Sequence, residues 1–429
     1  MKSIFKITLF LAAVALMAVL SVSNHIATSV VTAATADASA ATVAPTVTPT
    51  PLPSVEGTLT IWVNPERQAI IEAAGKDFSA KYNVPVRVQT MNFGDIRTNF
   101  NIAAPAGNGP DIIAGANDWI GELYSNGLLA TVDLADKVKS FDPVAVQAFT
   151  YDGKTVGVPY QVEAVAMFYN KDLVPTPPTT WDETQAVATK LQADKKADQG
   201  FAFTVTGELY GHYGLLTSYG GGVFGRDAQG GYDAKQVIMD NAGSIQAATE
   251  LDKLVKAGVL KDGVTYDVAK DLFLKGRLAM WVNGPWELDN IRKSGINFGI
   301  AVIPAGTEKA HPFVGVQGFM VSKLSKNALL AQAFVSEFLA TDDTMLKLYQ
   351  AQFGVPAWLP TRTKVTNPDI DAFSASIANG DPLPGIPAMA SVWTLSNNAL
   401  NLVYQQKAAP DAAMKDASAS LRDLIAKAK

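Results

Sequence analysis

The chain contains no cysteine. That absence excludes disulfides, thiolate metal ligands, a cysteine nucleophile and a lipid carried on an N-terminal cysteine. Histidine is scarce as well: His25, His212 and His311 stand far apart, and without cysteines to complete a ligand set no zinc site is expected. Charge is sparse, with Asp, Glu, Lys and Arg making up 17% of the residues and a formal net charge of -5. That balance argues against nucleic acid or acidic lipid as the main partner. The glycines at 220–222 lack the spacing and the lysine of a phosphate loop. There is no G-x-S-x-G elbow to frame Ser-His-Asp catalysis, and no repeat of solenoid length. Neither a cofactor nor a metal is expected.

What is present is a long chain of 429 residues, 48% apolar, which predicts two or three compact units of a soluble globular protein. The N-terminus reads as a secretion signal over residues 1–33. Lys2 and Lys6 form a basic start, residues 7–22 are an apolar run short for a membrane span, and Ala33-Ala34-Thr35-Ala36 offers small residues for cleavage. Retention of this segment as an uncleaved anchor is the alternative. Residues 34–56 are rich in Ala, Thr, Val and Pro and read as an extended spacer. The working part is expected outside the cytoplasm, in the periplasm or at the cell surface, and not as a lipoprotein.

From Gly57 onward strand and helix alternate. Leu59, Ile61 and Val63 alternate with Thr60, Trp62 and Asn64 as a half-buried strand. Ile70, Ala74, Phe78 and Tyr82 then mark one face of a helix closed by Asn83. Further strands are expected at 84–88 and 111–114, with a helix over 93–104 between them, the start of a doubly wound sheet. The loop Gly107-Asn108-Gly109-Pro110 leads through the strand at 111–114 into a helix start carrying Asn117, Asp118 and Trp119. Ligands of open α/β sheets bind at such carboxyl ends of strands. A carboxylate, an amide and an indole together suit a polyhydroxylated ring; capping by Asn117 is the plain structural reading. Glu163 is the one ionisable residue in the apolar run 157–170. A lone buried carboxylate demands a partner, either an internal cation or a ligand. Thr180-Trp181-Asp182-Glu183 is a capping box. Asp267 reads as the cap of a later helix, and Asn283-Gly284-Pro285-Trp286 is a turn that throws an indole onto a strand edge.

The motifs Ile61-Trp62-Val63-Asn64, Gly109-Pro110-Asp111-Ile112-Ile113, Gly127-Leu128-Leu129-Ala130 and Tyr169-Asn170-Lys171-Asp172-Leu173 occur in a recognisable order. It continues through Pro177-Pro178-Thr179-Thr180-Trp181, Asn283-Gly284-Pro285-Trp286, Pro312-Phe313-Val314-Gly315-Val316 and Ile386-Pro387. From about residue 57 to its end the chain resembles the maltose/maltodextrin-binding proteins, within the extracellular solute-binding family that serves ABC transporters. The resemblance implies an α/β protein of the two-lobed periplasmic-binding-protein type II fold, with crossover strands joining the lobes and a sugar cleft between them. It implies a first lobe of 57–162 and 316–366, and a second of 163–315 and 367–429. By position it carries cleft roles onto Glu66, Arg67, Asp118, Glu163, Glu208, Tyr210, Trp286 and Trp393. The partners implied are a maltodextrin ligand and the permease subunits of an importer, with a monomeric chain.

The sequence departs from the family pattern at several of these places. Glu66-Arg67 stands for an acid-base pair usually Asp-Lys. Gly115 lacks an expected aromatic ring, Trp119 replaces a basic residue, and Thr394 and Asn397 replace an aromatic and an arginine. Residues four apart at a helix start share a surface, so Trp119 is expected to supply the missing stack and Gly115 to leave a space. A wider groove, suited to α-glucans of more than two units, follows from that reading. Two other readings stand beside it: a binding protein for another oligosaccharide such as a cyclodextrin, trehalose or another glucoside, and a glycoside hydrolase using Glu163 and Glu208.

Overall fold

The computed structural model describes residues 54–228 and 230–428. The expected leader and all but the end of the spacer lie outside the described residues. At the spacer's end, Ser54 is already part of the folded body: its amide donates to the Gly109 carbonyl at 2.6 Å and its hydroxyl to Asp111 at 2.5 Å. Asp111 is fully buried and also accepts from the Thr60 amide, the Ser325 hydroxyl and the Asn327 amide. Several donors on one carboxylate replace the water that burial removes.

Two sheets organise the chain. The first has the order Val355–Pro356, Val158–Glu163, Phe313–Val321, Ile112–Ala116, Leu59–Val63, Val86–Thr90, with Asp381–Pro382 paired to Phe313–Val321 off this path. Leu59–Val63 runs parallel to both of its neighbours, whereas Phe313–Val321 is antiparallel to Ile112–Ala116 and to Val158–Glu163. Leu59–Val63 is buried at all five positions, not half-buried as its alternation suggests. A parallel strand covered by helices on both sides buries both faces, so Thr60 and Trp62 are enclosed with the rest. The helix Gln68–Tyr82 buries Ile71, Ala74 and Phe78 and ends at Asn83, which adopts the left-handed conformation (φ 55°) and donates to Ser79.

The second sheet has the order Phe298–Ala301, Ala166–Asn170, Leu278–Asn283, Gln199–Ala202. Helices Trp181–Ala193, Leu209–Thr217, Ala242–Lys256, Met389–Tyr404 and Pro410–Lys427 contribute to the cores around it. The Thr180 hydroxyl accepts from the Glu183 amide as the capping box predicts, while the Glu183 carboxylate accepts from the Thr179 amide and hydroxyl. The helix Tyr266–Leu274 is capped by Thr265, not Asp267. Threonine one residue before the helix reaches the Val268 amide, which leaves Asp267 to face the positive end of the helix from its first turn.

Only Ala164 and Val165 separate the last residue of Val158–Glu163 in one sheet from the first residue of Ala166–Asn170 in the other. Glu163 therefore sits at the crossing between sheets. Phe313–Val321 brings the chain back, buried along all nine residues. Among the described residues no helix is long and apolar enough to cross a membrane.

Candidate ligand-binding cleft

Two adjoining cavities, of about 330 and 410 Å³, share Phe93 and Glu163 as wall residues and form one cleft. Its floor is laid by paired strands. Glu163 lies opposite Gly315, and Gln161 opposite Gln317. The Glu163 carboxylate accepts from the Gln161 amide at 2.8 Å on one oxygen and from the Gln317 amide at 2.9 Å on the other. Burial raises its pKa, against the pull of the Gln317 and Gln161 hydrogen bonds and the Arg67 charge. No cation forms an ion pair with it among the described residues, so of the two partners the sequence allows, an internal cation is missing and two amides stand in.

The first wall carries Glu66, Phe93, Arg97, Asp118 and Trp119. Glu66 is exposed in the 3-10 turn Pro65–Arg67 and accepts from Asn64 at 2.6 Å. Arg67 lines neither cavity; it is fully buried behind the floor. Asp118 is buried in the 3-10 turn Asn117–Trp119, and burial pushes its carboxyl up to about 6, opposed by the nearby Arg97 and the Trp393 indole. Asn117 is not a cap: its side chain accepts from the Val316 amide and donates to the Leu383 carbonyl, tying the turn to neighbouring strands.

Trp119 is 5% exposed, and its ring packs at 5.0 Å and a 39° tilt on Phe93. The space above Gly115 is not open. A Cβ at Gly115 would meet the Trp119 ring at 2.3 Å and the Met320 methyl at 2.6 Å. The indole occupies the place expected to be vacant, so the groove gains no width there.

The second wall carries Glu208, Tyr210, Trp286 and Trp393. Glu208 is the N-cap of Leu209–Thr217 and accepts from the Tyr210 and Gly211 amides, each at 3.0 Å. Burial raises its pKa against those two bonds. Asn397, noted in the sequence as a departure, takes the preceding amide of that turn, Leu209, at 2.9 Å. The Tyr210 hydroxyl is buried without a hydrogen-bond partner among the described residues. Trp286 is half-buried over Gly284, with its ring 6.4 Å from Tyr210. Trp393 donates its indole N–H to Asp118 at 2.9 Å, which links the two walls. His212 beneath them bonds the Glu208 carbonyl and the Tyr404 hydroxyl, and burial lowers its pKa to about 3, so it stays neutral.

Eight of the nine residues singled out in the sequence thus line the cleft, and Arg67 does not. Sequence reasoning missed Phe93, Arg97, Gln317 and Gln352. Gln317 had a readable signal, a polar residue inside a buried apolar strand, which is the signal that marked Glu163. Phe93 and Arg97 had none, because nothing local says which face of the helix Phe93–Ala103 meets the cleft.

The cleft thus sets acceptors and amides beside aromatic faces. The chain belongs to the bacterial extracellular solute-binding proteins, whose family model matches residues 73–379. It is 31% identical over 349 residues to the maltodextrin-binding protein MdxE of Bacillus subtilis (strain 168), covering 78% of this chain and 82% of that protein. It is 29% identical over 383 residues to the galactooligosaccharide-binding protein of the same organism, covering 86% and 89%. Against a maltooligosaccharide ABC transporter solute-binding lipoprotein of Streptococcus pneumoniae serotype 4, the identity is 29% over 381 residues, covering 86% and 88%. The two-lobed α/β fold implied by the sequence motifs agrees with this membership and with the two sheets.

Proposed function

We propose that the protein captures α-linked glucose oligomers of the maltodextrin type outside the cytoplasm and delivers them, as a monomer without enzymatic activity, to an ABC importer. The lobes are taken as 57–162 with 316–366, and 163–315 with 367–429. One observation carries the reading: Asp118, Glu163, Tyr210 and Trp393 line one cavity, acceptors at its edges beside aromatic faces. A pyranose ring has apolar faces and hydroxyl edges. Good aromatic contacts contribute roughly 0.5–1.5 kcal/mol beyond area burial, and hydrogen bonds to charged groups about 1.5–3 kcal/mol each. A handful of these, less the cost of association and ordering, reaches the roughly -8 kcal/mol of a micromolar ligand. Relatives named for maltodextrin and maltooligosaccharide support the choice of glucan.

Calorimetric titration with maltose, maltotriose, longer maltodextrins, cyclodextrins, trehalose, cellobiose and a galactooligosaccharide tests it. We expect maltotriose and longer α-glucans to bind at least as tightly as maltose, with no product released on long incubation. The tightest binding by a galactooligosaccharide, the specificity named for an equally similar relative, would replace the glucan. Hydrolysis that Glu163→Gln abolishes would replace transport with catalysis.

A further inference from the structure

Arg67 is fully buried, yet among the described residues it has no carboxylate within ion-pair distance, and its Nε has no partner. A buried cation is costly unless its surroundings answer it. Here they are neutral: the Gln352 carbonyl oxygen at 2.6 Å, the Gln161 carbonyl oxygen at 3.4 Å, the Leu348 backbone carbonyl at 3.5 Å, and the Tyr160 ring, 4.8 Å from the guanidinium carbon. A guanidinium has donors only, so an amide beside it must turn its oxygen inward and its NH₂ away.

For Gln161, the outward NH₂ is the one that binds Glu163 at 2.8 Å. Glu163's other oxygen takes the Gln317 NH₂, and the Gln317 carbonyl accepts from the Tyr160 hydroxyl at 2.6 Å. The Tyr160 ring in turn faces Arg67, which closes a circuit around the carboxylate. For Gln352, the outward NH₂ has no partner among the described residues, and Gln352 lines the smaller cavity.

We infer that Arg67 is a positioning residue of the cleft, which from behind the floor orients Gln161 to hold Glu163 and Gln352 to present an amide donor to a neutral polyol. The inference rests on the proposed reading of this cleft as the solute site. The groups that share Glu163's surroundings are Gln161 and Tyr160 on its own strand and Gln317 on the next. Glu66 and Arg67 come from the first turn, Asp118 and Arg97 from the first wall, and Tyr210 and Glu208 from the second. Arg67's charge works against the burial that raises Glu163's pKa, so removing it must raise that pKa further.

Arg67→Met and Arg67→Lys test this, with Glu163→Gln to assign the carboxyl signal. In ligand-free protein, carbon NMR of labelled glutamate should show Glu163 titrating at higher pH in Arg67→Met than in wild type. Maltotriose affinity at neutral pH should fall about tenfold, the loss of two oriented amide bonds, and the deficit should widen as pH falls. Arg67→Lys keeps the charge without the planar fork, so the titration should stay near wild type while affinity falls about threefold. A Glu163 titration unmoved in Arg67→Met, with an affinity deficit equal at every pH, would reduce Arg67 to packing. Should Arg67→Met not fold, wild-type affinity in Arg67→Lys would overturn the inference. If wild-type protein ignores maltotriose, the glucan reading falls, and the ligand-free titration still decides the role of Arg67.

Discussion

Asp118 is where burial and binding oppose each other most directly. Burial pushes its carboxyl up from the ordinary 3.8 to about 6. The raised folded value fixes the sign. Below the unfolded pKa both states are protonated and the stabilising contribution is fully present; as pH rises through 6 the folded carboxyl ionises against its burial and that contribution is lost. A shift of this size corresponds to about 3 kcal/mol at most. Asp118→Asn removes the titration and keeps an acceptor for the Trp393 indole. Urea unfolding should therefore find ligand-free Asp118→Asn more stable than wild type by about 1–3 kcal/mol at pH 8, with the gain shrinking toward pH 4. A gain equal at both pH values would mean that ionisation is not its source. On the proposed reading the same charge would strengthen hydrogen bonds from sugar hydroxyls, which in turn favour ionisation. Wild-type maltotriose affinity should rise between pH 5 and 7, and Asp118→Asn should flatten part of that rise. Glu163, raised in the same direction, keeps the remainder.

At the scale of elements, the turn Asn117–Trp119 and the strand before it act as one packed unit. Gly115 lies on Ile112–Ala116, and the Trp119 ring folds back over it and packs on Phe93. Gly115→Ala puts a methyl where the indole is, and overpacking of this kind costs about 1–3 kcal/mol. The indole must shift toward the cavity it lines, so Gly115→Ala should lose both stability and maltotriose affinity. In a Trp119→Ala background the same methyl has room, and the two changes should couple in a double-mutant cycle by about 1 kcal/mol or more. Additive effects would show that the ring does not depend on the glycine. The sequence marks Gly115 and Trp119 as departures from the family pattern but not that the ring lies over the glycine, because one residue's ring filling another's missing side chain is a tertiary fact. Features with local causes were readable: Asn83 closing a helix, Thr180 capping one, and the Asn283-Gly284-Pro285-Trp286 turn delivering its indole. The family resemblance carries a cleft role onto Arg67, yet the side chain is buried and lines neither cavity. Its burial depends on Gln352, far along the chain, and no local pattern carries that.

The whole molecule sets which solute the cleft can retain and how. Its floor belongs to the crossing strands, while Asp118 and Trp119 stand on one wall and Tyr210 and Trp393 on the other. A ligand that touches both walls binds best when they are apposed, so it shifts the population toward closure by its differential affinity. Maltotriose should then lower the radius of gyration measured by small-angle scattering, and a bound protein of unchanged radius would mean a rigid cleft. The charge around the larger cavity separates two kinds of solute. Asp118, Glu163 and Glu208 line it with Arg97 as the one cation on its wall among the described residues, which disfavours an anion and leaves a neutral polyol or a cation. For a neutral sugar the acids act through hydrogen bonds within contact distance, where salt screens little. A cationic solute would also be drawn by the long-range field, which a Debye length of about 10 Å at 0.1 M salt and about 3 Å at 1 M progressively removes. We expect maltotriose affinity to change less than about twofold across that range of sodium chloride. A steep fall in the affinity of the tightest solute found would point to a cation, and the aromatic faces of Trp393 and Tyr210 would then be read as partners for positive charge instead of sugar rings.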